Sequence, residues 1–203
     1  MDHNELSGLK HELSVKAKNG IDFIVSASLV WILITIIWSL PFDSYSKSVL
    51  TFMVGALMLP LALLMLRLIK TQRKIANYPL QPLGLWLSFA QLFFIPFLIF
   101  MQIKMPSHFI MTYAIITGAY LFPYAWFYNE ISYAVGAGVI SVGSLILGSA
   151  LDTSKLYFSP LVAALSWVLL AIVLAGSCRK KVKAANYLVA QHLCNYENCT
   201  STA

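Results

Sequence analysis

The chain has 203 residues, 59% of them hydrophobic and 11% charged, with a formal net charge of +6 and a mean hydropathy of +0.76. Soluble domains carry about 25% charged residues, and a domain of this size cannot hide so much apolar surface from water, so an ordinary soluble fold is excluded and the chain belongs in a bilayer. Its basic residues cluster beside apolar runs, which marks membrane topology and not a nucleic-acid surface.

The N-terminal segment "NELSGLKHELSVKAKNG" places Leu6, Leu9 and Leu13 on one helical face with lysines elsewhere. This pattern predicts a short amphipathic helix in the inner interface, within a cytoplasmic segment spanning residues 1–20. Asn4 is placed to cap its start and Asn19-Gly20 to end it. His11-Glu12 is not the start of a metalloprotease motif, because Val15 stands where the second histidine would be needed.

Six apolar stretches follow, at about 21–40, 49–69, 83–103, 109–128, 133–151 and 158–178. Each is close to the ~20 residues that cross a ~30 Å hydrocarbon core at 1.5 Å per residue. None alternates polar and apolar as barrel strands do. The expected fold class is therefore all-α: a polytopic membrane protein, a six-transmembrane-helix bundle over residues 21–178. The first stretch is too long for a cleaved signal and lacks a cleavage site, so it reads as an uncleaved anchor. Pro60, Pro96 and Pro123 fall in the second, third and fourth stretches. That spacing does not divide the chain into matching halves and argues against an inverted-repeat transporter.

With the N-terminus inside, eleven basic residues are cytoplasmic: Lys10, Lys16, Lys18, Arg67, Lys70, Arg73, Lys74, Arg179, Lys180, Lys181 and Lys183. Only Lys47, Lys104 and Lys155 are then outside, and both termini are cytoplasmic. The basic connection "KTQRKIANYPLQP" is expected against anionic headgroups.

The polar residues inside the apolar runs carry the functional question. Ser88, Gln91, Ile95 and Gln102 share a face of the third span; Tyr113, Thr117, Tyr120, Tyr124 and Tyr128 share one of the fourth. Gln91 and Tyr120 each lie eight residues from the inner end of their span, about 12 Å deep, where amide and phenol are natural hydrogen-bond partners. Pro123 frees the carbonyl of Ala119 and Pro96 that of Leu92, leaving two acceptors in the same layer in need of partners. One reading is a polar cavity open to the cytoplasm, lined by Ser88, Gln91, Thr117, Tyr120 and Tyr124, with Asp22 and Glu130 at its mouth. In the other, the hydroxyls join helices at about 0.6 kcal/mol per bond, and Tyr124, Trp126, Tyr128 and Tyr133 form an interfacial aromatic belt. Glu130 lies in the "NEIS" turn, an inner loop without Lys or Arg, so it needs a partner from another segment or faces the cytoplasm.

In the fifth span Ala134 and Gly138, and Ser144 and Gly148, form small-xxx-small pairs that allow close helix approach. They mark the packing centre of the bundle or a homo-oligomer face. Residues 179–203 form a basic cytoplasmic tail. Its first part, "RKKVKAANYLVAQHL", extends the sixth helix; its end, "NYENCTSTA", is expected to be disordered, with the Asn198 sequon unused. Cys178, Cys194 and Cys199 are odd in number and read as free thiols. His192 with Cys194 and Cys199 matches no zinc spacing, so neither a metal nor a cofactor is expected.

The run "LSFAQLFFIPFLIF…ITGAYLFPYAWFYN" resembles a family of small bacterial integral membrane proteins without an assigned activity, in which a Gln-containing third span precedes a TGA…FPY fourth span. The likeness covers most of residues 5–180 and is carried by Gln91, Thr117, Gly118, Ala119, Phe122, Pro123 and Tyr124. It implies a bacterial cytoplasmic (inner) membrane setting and supplies no chemistry. There is no Walker loop, no nucleophile elbow and no histidine within a span, His108 being in an outer loop. Three readings stand: a small-molecule binding or transport protein using the inner-half cavity; a structural, sensory or partner-binding membrane protein with a dry interior; and a lipid-modifying enzyme, which would need Asp22 and Glu130 to converge at the inner headgroup level.

Overall fold

A computed structural model describes residues 8–10, 13–15, 17–69, 81–152 and 155–200; at positions 59, 69, 81, 82, 85, 88 and 184–200 it describes the backbone alone. The described residues are helical and contain no strand. The long helices are α1 (Ile21–Ser39), α2 (Ser44–Ala56), α3 (Met58–Ile69), α4 (Gln81–Ala90), α5 (Ile95–Lys104), α6 (Phe109–Ala119), α7 (Phe122–Phe127), α8 (Ser132–Ala150) and α9 (Phe158–Thr200). Among the described residues, four stretches are long and apolar enough to cross a membrane: Lys18–Ser39, Pro106–Phe127, Ser132–Ala150 and Phe158–Lys183.

These four correspond to the expected first, fourth, fifth and sixth spans. The other two are interrupted, and proline explains where. The second becomes α2 and α3, bent by 40°; Pro60 sits in the first turn of α3, where its missing N–H costs nothing to the new helix. The third becomes α4, a 3₁₀ turn at Gln91–Phe94, and α5, with Pro96 in the first turn of α5. The turn gives the Leu92 carbonyl a donor, the Ile95 N–H, so the acceptor that Pro96 was expected to orphan is satisfied locally. Even the fourth span pauses at Tyr120-Leu121 before Pro123 starts α7.

The core lies among α1, α6, α8 and α9, with the most extensive contacts between α1 and α9 and between α6 and α8. On α1 the buried Ile24, Ala27, Trp31, Ile34 and Trp38 recur at three- and four-residue steps, the period of one helix face. Ala163, Trp167, Leu170 and Leu174 do the same on α9. The opposite faces are apolar and exposed, as at Ile36, Val139, Leu169 and Ile172. A helix apolar on all sides suits a bilayer, where the outward face meets lipid.

Glycines set two of the close approaches. A Cβ on Gly118 of α6 would stand 2.7 Å from Ile140 Cγ2 and 2.8 Å from Ser141 Oγ of α8. Gly148 lies equally tight against Met111. Ser141 Oγ donates across this seam to the Ile115 carbonyl at 3.1 Å. At the end of the bundle away from the N-terminus, the Trp38 indole N–H donates to Thr51 Oγ1 at 3.0 Å and Lys47 Nζ to the Trp38 carbonyl at 3.2 Å. Asp43 caps α2 by accepting from the Ser46 N–H at 3.0 Å.

Candidate functional site

The polar residues converge at the other end, where the N-terminal segment, the α7–α8 loop and α9 meet. Residues 8–10 and 13–15 are helical. Leu13 and Ala17 are buried against Phe127, with Leu9, Leu87, Tyr124 and Tyr128 around them. The apolar face of this segment thus packs on protein and caps the bundle end. Lys10 Nζ lies 3.4 Å above the Trp126 ring centroid. Leu6, Asn4 and the His11-Glu12 pair lie outside the described residues, as does the basic connection at 70–80.

The chain enters α1 through a left-handed turn: Lys18, Asn19 and Gly20 have φ of 47°, 54° and 67°. Glycine adopts this region freely and asparagine tolerates it. Lysine pays roughly 1 kcal/mol there, so surrounding contacts must hold the turn. They are present. Tyr133 Oη donates to the Asn19 carbonyl at 2.5 Å. The Asn19 side chain, fully buried, accepts through Oδ1 from Ser14 Oγ and from Lys181 Nζ. Among the described residues its Nδ2 has no hydrogen-bond partner.

Lys181 of α9 is the centre of the junction. Its Nζ lies 3.0 Å from Glu130 Oε2, 2.8 Å from Ser14 Oγ, 3.4 Å from Asn19 Oδ1, and 3.5 Å from each of the Tyr128 and Asn129 carbonyls. The partner that Glu130 required from another segment is therefore Lys181, with Ser177 one helical turn earlier donating to Oε2 at 2.5 Å and Ser132 to Oε1 at 3.1 Å. Burial pushes the Glu130 pKa up, but the hydrogen bonds from Ser177, Lys181 and Ser132 and the Lys181 charge outweigh it and hold the carboxyl below its usual range. Asn129, at φ 48°, is a third non-glycine left-handed residue at this junction.

Asp22, one turn into α1, is 1% exposed. It lies three residues beyond Asn19, so the two expected mouth residues lie at the same end of the bundle, Asp22 buried and Glu130 partly buried. Ser26 is turned back onto the Asp22 carbonyl.

The expected cavity residues are placed differently. Thr117 is buried, and its hydroxyl donates to the Tyr113 and Ala114 carbonyls of its own helix. Tyr120 packs edge-on against Tyr124 at 5.6 Å. Tyr124 in turn stacks on Tyr128, which stacks on Tyr133. Gln91 is half-buried in the 3₁₀ turn; among the described residues its amide is not hydrogen-bonded to Tyr120. The Ser88 side chain lies outside the described residues, as do those of His192, Cys194 and Cys199. Of the fifth-span residues, Ser144 and Gly148 are buried, Ala134 is half-buried, and Gly138 is exposed, with open space where a Cβ would stand. Cys178 is buried and free.

Sequence reasoning singled out Glu130 and Asp22 but missed Ser14, Asn19, Ser177 and Lys181. In the sequence Lys181 counts only toward topology and Asn19 only as a helix stop. The signal was the carboxylate in the one inner loop without a base.

Among the described residues, fold and site together define an all-helical protein with four helices long and apolar enough to cross a membrane, closed at one end by a partly buried ion pair. Residues 6–177 match the model of a family of unknown function, DUF7010, and the chain belongs to that family. No curated protein and no solved structure matches it.

Proposed function

We propose that this is a multi-pass protein of a bacterial cytoplasmic membrane with six membrane segments, the second and third broken at Pro60 and Pro96, and with both termini inside. It acts as a structural or sensory device that presents α9 to a cytoplasmic partner. The observation that carries this reading is the junction itself: α9 has 43 residues, about 65 Å at 1.5 Å per residue, twice the ~30 Å core. It is gripped at Lys181, where it leaves the bundle. The packing of the tyrosine stripe and the back-bonded Thr117 support a dry interior. Arg179, Lys180 and Lys183 are exposed around the grip and suit anionic headgroups on the cytoplasmic face.

The test is photo-crosslinking in living cells from probes at Lys180 and Lys183. A discrete protein adduct whose yield changes on Glu130→Gln supports the reading; adducts to lipid alone, unchanged by Glu130→Gln, contradict it. A second reading, small-molecule binding between the third and fourth spans, is favoured by one observation: both are interrupted, at Gln91–Phe94 and Tyr120-Leu121, and discontinuous helices in membranes commonly line sites. Native mass spectrometry decides it. A defined molecule lost on Tyr120→Phe or Gln91→Leu would move the working site to that junction.

A further inference from the structure

We propose that the oxygen cradle around Lys181 Nζ is a binding site for a small monovalent cation, and that the lysine ammonium is its built-in occupant, displaceable by a free ion. Five oxygens lie within 3.5 Å of Nζ: a carboxylate, a hydroxyl, a side-chain amide and two backbone carbonyls. They come from three separate pieces of chain, residues 14, 19 and 128–130. A lysine ammonium has three protons to donate, so five oxygens exceed what the amine can use. Hard oxygens of mixed charge in one shell are the ligand set of alkali cations.

Charge balance sets the class. Among the described residues Glu130 is the one carboxylate in contact with Nζ, so a monovalent cation neutralises the cradle as the ammonium does, whereas a divalent ion would leave an uncompensated charge in a partly buried place. Size narrows it further. An ion the size of potassium or ammonium fits at the Nζ position, with Glu130 Oε2 and Ser14 Oγ already at bonding distance and the other three oxygens drawing in; a quaternary ammonium is too large for it. The route is open, since the Lys181 side chain is 19% exposed and that of Glu130 11%. The flexible stem of Lys181 can carry the displaced amine to the solvent side, where Arg179 and Lys180 are exposed. This inference rests on the cradle geometry and not on the sensory reading: a protein with no cytoplasmic partner could still hold the ion.

The experiment uses the full-length wild-type protein in nanodiscs. Lys181 is labelled with an amine-reactive reagent in potassium, sodium, ammonium or choline chloride at equal ionic strength, and labelling at Lys180 and Lys183 is the internal standard. Lys181 labelling is expected to rise several-fold in a small-cation salt over choline, with the standards unmoved. In Lys181→Met, which empties the cradle, the same cation should raise the melting temperature by several degrees over choline, by binding only the folded state, and Glu130→Gln added to it should abolish that shift. Equal Lys181 labelling in all four salts overturns the proposal, as does a Lys181→Met protein stabilised equally by choline. If Lys181→Met does not fold, the wild-type labelling decides alone.

Discussion

Gly20 is held by two constraints at once. Its φ is +67°, and a Cβ there would stand 3.0 Å from the Tyr128 hydroxyl and 3.1 Å from the ring. Alanine would strain the backbone and push the ring that stacks on Tyr124 and Tyr133. Gly20→Ala is therefore expected to destabilise by about 1–3 kcal/mol, read as a lower melting temperature in detergent. Glu130 gives a pH prediction. Its folded pKa lies below its ordinary value of 4.5. The unfolded chain then binds the proton more readily, so the carboxylate's contribution is fully present above pH 4.5 and is lost as pH falls through the lower, folded value. The melting temperature of wild type minus that of Glu130→Gln should be constant from neutral pH to about 5 and shrink below that. A constant difference down to pH 3 would show that folding leaves the Glu130 pKa unshifted and contradict the depressed value. Asp22 and Glu130 were visible in sequence as polar residues beside apolar runs. Their burial was not, because a carboxylate's partner in a helical bundle can come from anywhere in the chain, here from a residue 51 positions away (181 minus 130).

Among the elements, apolar run length located the helices well, since each run had to satisfy its own backbone in lipid. Proline determined what run length could not. Pro60, Pro96 and Pro123 each lie in the first turn of a new helical piece, so the second and third runs are divided and the fourth pauses. The tyrosine spacing correctly placed Tyr120, Tyr124 and Tyr128 together, yet aromatic stacking was as compatible with that spacing as a cavity was. The fifth-span glycines show the same ambiguity: the small-residue pattern gave the helix but not its rotation. Gly148 faces Met111, while Gly138 faces open space. Gly118 in α6, quoted in sequence only as part of the TGA motif, meets Ile140 and Ser141. Gly118→Val and Gly148→Val are expected to overpack the seam and cost about 1–3 kcal/mol each, whereas Gly138→Val in the monomer should change stability by less than about 0.5 kcal/mol. Thermal unfolding of the three variants checks this. A destabilising Gly138→Val with a change in oligomeric state would instead make that face a contact between copies.

At the scale of the whole molecule, the junction ties together pieces that are remote in sequence. The N-terminal cap, the left-handed turn into α1, the α7–α8 loop and α9 share one ammonium. Removing one partner of this partly buried pair leaves the other charge uncompensated, while removing both is milder. The most direct test of the account is thus a double-mutant cycle on Glu130→Gln and Lys181→Met, followed by thermal unfolding in nanodiscs. The account predicts that each single variant is less stable than the double, with a coupling energy above about 1 kcal/mol. Additive losses would contradict it and would return α9 to being an ordinary last helix with no special hold on the bundle.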